Sequence, residues 1–260
     1  MKTIIVPLDF SETSLNAAHY AAHLYKGKED ITLILYHFYA EGEDYLTAEN
    51  YLQSLQKELL LHIPNTITHL ESGESFIDRL AAFAHIKRPI MIIMGLLGKT
   101  PMEQRFSGTN TLKIAEKNIC PILVIPPQAI FKKINNVLIT SEMKAVEETP
   151  VLLEVKNVLN EFKPSVHILN INSDHYISVT DDYKEERDKM QVLLADFNPE
   201  FYFMRLWDFH ESINLFSADK DIDMIIIAPK YHSFFEKLFK TQHTKTLLYQ
   251  SQIPVLVIHE

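Results

Sequence analysis

Residues 94–110 read MGLLGKTPMEQRFSGTN, and this stretch decides how the rest of the chain is interpreted. It follows the apolar run 90–94 and leads into a segment of helical character from Thr109 to Lys117. The pattern predicts a strand, a glycine-rich loop and a helix, in that order. Three of the six glycines in the whole chain lie in this loop, at Gly95, Gly98 and Gly108.

The loop has the composition of a phosphate-binding site. Glycine takes up positive φ angles and lets a ligand approach the backbone without meeting a Cβ atom. Successive backbone N–H groups beside a helix N-terminus form a cavity suited to phosphate, and Thr109 would add a hydroxyl there. We therefore expect a phosphate-bearing ligand held mainly by backbone groups. Glycines that only serve turns are the alternative.

Two better-known phosphate motifs do not fit this loop. A Walker A loop needs a glycine five residues before the glycine that precedes its lysine, and that position is Ile93 here. A Rossmann fingerprint would follow the first strand and read G-x-G-x-x-G, whereas this loop follows the fourth apolar run. The spacing that remains is Gly-x2-Gly-x9-Gly-Thr.

Composition indicates a globular protein without a nucleic-acid partner. Of the 260 residues, 47% are hydrophobic and 23% are charged, which supplies enough apolar material for one large domain or two ordinary ones. The formal net charge is −9, and Lys and Arg form no long block. Nucleic acid and anionic membrane surfaces are therefore disfavoured as partners.

The sequence also predicts a cytoplasmic location. The chain enters a strand-like run at Thr3 without the layout of a signal peptide. Its apolar runs are shorter than the roughly 18 residues that a membrane-spanning helix needs. A single cysteine, Cys120, excludes an intrachain disulfide and suits a reducing compartment. We therefore expect a cytoplasmic protein with no membrane partner.

Strand-like and helix-like segments alternate along the first half of the chain. Ser11 is suited to cap the first helix, which we expect to end at Gly27. Strands that alternate with helices predict a parallel sheet covered on both faces. The predicted strands span residues 3–8, 31–38, 66–70, 90–94 and 121–125, and the predicted helices span 11–26, 46–62, 76–86 and 109–117.

The pattern begins again after Pro126 and Pro127. A shift of 133 residues places Pro254 on Pro121, Ala228 on Gly95 and Glu142 on Asp9. Self-similarity at a fixed offset is typical of tandem copies of one structural unit. The boundary falls near residues 127–133, which predicts one domain over 1–127 and a second over 134–260.

The two halves differ at the glycine loop. Under the same shift, Gly98, Gly108 and Thr109 become Tyr231, Thr241 and Gln242, and no glycine follows Gly108. Pro229 also removes a backbone donor from the equivalent segment. We therefore expect the second half to keep the fold and to lack this phosphate site.

The chain resembles the universal stress protein family over essentially its whole length, as a tandem member. The resemblance is carried by Val6-Pro-Leu-Asp-Phe-Ser11, by Leu35-Tyr-His-Phe38, by the Gly-x2-Gly-x9-Gly-Thr loop and by Pro121-Ile-Leu-Val-Ile125. It implies an α/β fold of two tandem open five-stranded parallel-sheet domains, Rossmann-like and of the adenine nucleotide alpha-hydrolase type. It also implies that the fifth strand pairs domains edge to edge, giving an intramolecular pseudo-dimer or a homodimer.

The resemblance implies ATP or a related adenine nucleotide as ligand, with or without Mg²⁺. In the family, the aspartate after the first strand and the end of the second strand contact adenine, while the glycine loop holds phosphates. Phe38 stands where a smaller aliphatic residue is usual, so it would either narrow the adenine slot or stack on the base. The implied nucleotide-binding residues are Pro7, Asp9, Phe38, Met94, Gly95, Gly98, Gly108, Thr109 and Asn110.

Three functions follow from the sequence. The first is a regulatory module in which ATP binds the N-terminal half and nucleotide state is coupled to a stress response or to partner binding. The second is a slow ATPase or related nucleotide-hydrolysing enzyme, for which the sequence offers no catalytic residue or metal-ligand set. The third is a nucleotide-independent interaction scaffold. Asp9 itself could bind a ligand or could serve the turn before Ser11.

Overall fold

The structure is a computed structural model that describes residues 1–39, 45–96, 108–141, 146, 150–172, 181–205, 209–227 and 251–258. The chain divides into two compact units, Met1–Lys132 and Lys133–Glu260. Among the described residues, no helix is long and apolar enough to cross a membrane.

The first unit is built on five parallel strands. These are β1 (Lys2–Leu8), β2 (Ile31–Tyr39), β3 (Thr66–Ser72), β4 (Met91–Gly95) and β5 (Ile122–Ile125). They lie in the order β3-β2-β1-β4-β5. The central strand β1 is apolar on both faces, and Ile4, Ile5 and Val6 are completely buried, as expected for a parallel sheet covered on each side.

The described helices of the first unit each follow a strand, and they are α1 (Glu12–Leu24), α2 (Tyr45–Leu59), α3 (Phe76–Lys87) and α4 (Gly108–Glu116). The predicted cap of α1 is confirmed, because the Ser14 N–H donates to the Ser11 hydroxyl over 3.3 Å. Ser75 caps α3 in the same way, with a 3.3 Å bond from the N–H of Asp78. Helix α1 ends at Leu24, slightly before its predicted end, and Gly27 then takes a φ of 75°.

The second unit has a parallel sheet of the same kind. Its strands are β6 (Asn136–Ser141), β7 (Ser165–Asn172), β8 (Glu200–Arg205), β9 (Met224–Ile227) and β10 (Val255–Val257), in the order β10-β9-β6-β7-β8. Its described helices are α5 (Pro150–Phe162), α6 (Asp181–Leu193) and α7 (Phe209–Asp219). The predicted α/β class, with an open five-stranded parallel sheet in each half, is confirmed.

The strand order of the first unit creates a crevice. From β1 the chain moves outward through β2 and β3, and it then returns to place β4 on the opposite side of β1. The connections that leave the carboxyl ends of β1 and β4 therefore turn away from each other. Ligands of open α/β sheets bind at this point of reversal.

Candidate functional site

A cavity of about 220 Å³ lies at the crevice between the ends of β1 and β4. The carboxyl ends of β1, β2 and β4 contribute to its wall, together with the first turns of α1, α3 and α4. Six residues implied by the family resemblance line the cavity: Pro7, Asp9, Phe38, Met94, Gly95 and Asn110. Of the other three, Gly108 and Thr109 are the first two residues of α4, and Gly98 lies outside the described residues.

Six further lining residues were not identified from the sequence: Leu8, Ser11, Thr13, Ser14, Phe76 and Thr111. A signal for most of them was present, because Ser11 and Ser75 both occupy helix-capping positions after predicted strands. In a parallel sheet, the helices that follow strands all begin at the carboxyl edge. The first turns of α1, α3 and α4 could therefore have been placed at the same edge.

Asp9 both stabilises the turn after β1 and lines the cavity. Its Oδ1 atom accepts a hydrogen bond from the Ser11 N–H at 3.0 Å and a second one from the Ser11 hydroxyl. Partial desolvation raises the pKa of Asp9, but the hydrogen bonds from Ser11 and Ser14 outweigh it, so the pKa lies below its ordinary value. The side chain is thus an ionised acceptor at neutral pH. A carboxylate has about four acceptor sites, so the Asp9 side chain keeps acceptor capacity for a ligand besides these bonds.

The turn that carries Asp9 is held from both sides by aromatic residues. Phe10 has a φ of 60°, a left-handed conformation that is unfavourable for a bulky side chain. Its ring lies 4.5 Å from the ring of His37 and 5.4 Å from that of Tyr51, measured between centroids. His37 is buried, and its Nδ1 lies 2.8 Å from the carbonyl oxygen of Leu8, so this nitrogen carries the proton and donates. These contacts fix the residues immediately before and after Asp9.

The sequence suggested that Gly95 serves a positive φ angle or the approach of a ligand, whereas in the structure it is the close packing of β4 on α1 that requires a glycine here. A Cβ atom at this position would lie 2.6 Å from the carbonyl carbon of Thr13 and 3.1 Å from the backbone nitrogen of Ser14, and closer still to the carbonyl oxygen of Thr13. The missing side chain therefore lets the end of β4 pack against the backbone of α1. The Thr111 hydroxyl also donates to the carbonyl oxygen of Gly95 over 3.4 Å, which joins the start of α4 to the same point.

The electrostatics of the cavity come mainly from two helices. Helices α1 and α4 both begin at its wall, where the helix dipoles place partial positive charge. Asn110 lies in the first turn of α4, and its side-chain amide can donate hydrogen bonds. Among the described lining residues, Asp9 is the one charged side chain. The part of the cavity beside the starts of α1 and α4 therefore favours an anion through helix dipoles and neutral donors.

The described residues contain no cluster of three or more His, Cys, Asp or Glu side chains that could hold a metal ion. Magnesium usually binds proteins through one or two carboxylates and otherwise keeps water or phosphate oxygens. A magnesium ion here would depend mainly on the phosphates of a bound nucleotide.

A parallel sheet with a cavity at its point of strand reversal is typical of Rossmann-like α/β domains. Residues 1–126 match the model of the universal stress protein family. The N-terminal unit therefore belongs to the universal stress protein family. None of the curated proteins searched matches the chain.

Solved structures with the same fold extend over both units. A universal stress protein from Archaeoglobus fulgidus DSM 4304 is similar at 15% identity and a TM-score of 0.70, with 99% of this chain and 96% of that chain covered. A functionally unknown protein from Pseudomonas aeruginosa PAO1 is similar at 14% identity and a TM-score of 0.67, with 100% of this chain and 92% of that chain covered. At such identities the similarity is one of fold.

Proposed function

We propose that the N-terminal unit binds ATP or a related adenine nucleotide, and that the protein is a regulatory module in which nucleotide state is coupled to a stress response through partner binding. The observation that carries this proposal is the convergence of an ionised acceptor, two aromatic rings and two helix N-termini on one cavity. Membership of the N-terminal unit in the universal stress protein family supports the same assignment.

The base would occupy the end of the cavity formed by Asp9, Phe38 and Met94. An ionised carboxylate only accepts hydrogen bonds, so Asp9 suits the exocyclic amino group of adenine. A keto oxygen at the same position, as in inosine, would place two acceptors against each other. The site should therefore prefer an amino-bearing purine.

The phosphates would lie towards the starts of α1 and α4. Helix N-termini bind phosphate through free N–H groups and the helix dipole, and this requires no cationic side chain. The Asn110 side-chain amide supplies an additional donor in the first turn of α4. Gly98, Gly108 and Thr109 remain part of the proposed phosphate site through the family resemblance.

We further propose that residues 134–260 form a second domain of the same family that has lost the glycine loop. Its strand order matches that of the first unit, which supports a common architecture. The positions equivalent to Gly95, Gly98 and Gly108 hold Ala228, Tyr231 and Thr241, which lie outside the described residues. The chain would then contain one nucleotide site.

The proposal is tested by thermal unfolding of the full chain with ATP and Mg²⁺, and separately with inosine triphosphate (ITP) and Mg²⁺. A ligand present at about 100 times its Kd stabilises the folded state by roughly 2.7 kcal/mol. For a unit of this size, that gain should raise the Tm by several degrees. Asp9→Asn is the matched variant, since its amide oxygen can still accept from Ser11 while its NH₂ group can donate to a ligand.

Wild type should be stabilised more by ATP than by ITP, and Asp9→Asn should lose or reverse that preference. Asp9→Asn should also unfold near the wild-type temperature when no ligand is present. Absence of any shift with millimolar ATP would overturn the nucleotide assignment. A preference for ATP that survives in Asp9→Asn would remove Asp9 from base recognition while leaving a nucleotide site.

A further inference from the structure

Two aromatic rings form a corner in the wall of the cavity. The ring centroids of Phe38 and Phe76 are 6.0 Å apart, with the ring planes inclined at 67°. Both residues are only partly buried and both line the cavity. Phe83, on the same face of α3 as Phe76, is instead buried in the core and stacks on His69 at 4.1 Å. The rings of Phe38 and Phe76 are therefore available to a ligand in a way that Phe83 is not.

The position of Phe76 is well fixed. It is the first residue of α3, directly after the capping residue Ser75. The carboxylate of Asp78, in the same first turn, accepts a hydrogen bond from the Lys117 ammonium at 2.9 Å, which joins the start of α3 to the end of α4. The Phe76 ring also contacts the ring of buried Tyr36, with centroids 6.4 Å apart. An aromatic side chain held in this way loses little further freedom when a ligand binds.

The geometry of the corner suits a flat ligand. A planar group stacked on one of the two rings meets the other ring nearly edge-on, and both arrangements are favourable between aromatic systems. The cavity of 220 Å³ is smaller than the 300–1,000 Å³ typical of pockets that enclose a whole small molecule. The described part of the site therefore has the size for one ring system with part of its sugar.

This inference rests on the proposed function. We infer that Phe38 and Phe76 form the platform on which the base stacks, and that Phe76 makes the site selective for a purine nucleotide over a pyrimidine nucleotide and over bare triphosphate. A purine offers two fused rings, so it can cover one aromatic face and still reach the other ring with its edge. A single pyrimidine ring makes only the first of these contacts.

The test measures the affinities of the full chain for ATP, CTP and inorganic triphosphate by isothermal titration calorimetry. Phe76→Leu keeps an apolar side chain of similar bulk and removes the aromatic face. Phe83→Leu is the matched control, because it removes a ring from the same helix at a buried position that faces Tyr36 and His69. Stacking of one base on an aromatic side chain is worth about 1–3 kcal/mol.

Phe76→Leu should therefore bind ATP at least about fivefold more weakly, should bind inorganic triphosphate as wild type does, and should show a smaller ratio of ATP to CTP affinity. Phe83→Leu should lower the Tm and leave that ratio unchanged. If Phe76→Leu weakens ATP and inorganic triphosphate equally, or leaves the ATP-to-CTP ratio as in wild type, the inference is wrong. Wild type that binds no nucleotide would overturn the proposed function, and the inference with it.

Discussion

Replacement of Gly95 by alanine tests the packing at the centre of the site. The added Cβ atom would lie 2.6 Å from the carbonyl carbon of Thr13 and 3.1 Å from the backbone nitrogen of Ser14. Unbonded carbon atoms pack at roughly 3.5–4.0 Å. Strand β4 and helix α1 must therefore separate by about 1 Å, since these atoms belong to the backbone and cannot rotate away.

The cost of this separation should be large for a single methyl group. Overpacking of a well-packed region typically costs about 1–3 kcal/mol, and a clash with backbone lies at the upper end of that range. We expect Gly95→Ala to lower the free energy of unfolding of the first unit by roughly 3 kcal/mol, which corresponds to a fall in Tm of about 10 °C. The bond from Thr111 to the Gly95 carbonyl should weaken as β4 shifts.

The assay is urea unfolding of the full chain followed by two signals. Far-UV circular dichroism reports on both units, whereas Trp207, the single tryptophan of the sequence, lies in the second unit. Gly95→Ala should move part of the circular dichroism transition to lower urea. A Gly95→Ala protein as stable as wild type would show that β4 does not press on α1, and the account of Gly95 as a packing glycine would fail.

Two further changes probe other parts of the chain. His167 is buried, neither of its ring nitrogens has a hydrogen-bond partner within the described residues, and burial lowers its pKa against the opposing effect of Glu200. The pKa of His167 in the folded state is thus below the unfolded value of about 6.5, so the second unit should lose stability as the pH falls below that value. The His167→Ile variant should show a weaker pH dependence when urea unfolding is compared at pH 8 and pH 5.5. An equal pH dependence in the variant and in wild type would refute the assignment to His167. Phe10 has a left-handed backbone, so Phe10→Gly should be about 1 kcal/mol more stable than Phe10→Ala in thermal unfolding, and the reverse order would exclude that conformation.

The strands and helices could be predicted because local patterns specify them. Continuous apolar runs such as Ile4–Val6 occur in strands that are buried on both faces, and Ser11 satisfies free N–H groups wherever its helix lies. The strand order observed in the structure brings Asp9 and Gly95 to one crevice. Asp9 and Gly95 thus line the cavity, and their role in nucleotide binding stays a prediction.

Contacts between distant segments could not be predicted in the same way. The need for glycine at position 95 arises from the backbone of Thr13, and sequence periodicity contains no information on that approach. Phe76 fits the apolar face of an amphipathic helix, so its pattern does not separate it from a core residue such as Phe83. The left-handed conformation of Phe10 could not be predicted because glycine and asparagine are the residues that usually signal it, and this position holds phenylalanine.

The stoichiometry of nucleotide binding shows whether the N-terminal unit alone binds a nucleotide. Isothermal titration of the full chain with ATP in the presence of Mg²⁺ counts the sites, and inosine triphosphate provides the specificity control. We expect one ATP to bind per chain, in preference to ITP. No binding at millimolar ATP would contradict a nucleotide site in the N-terminal unit, and two equivalent sites per chain would contradict the loss of the site from the second unit.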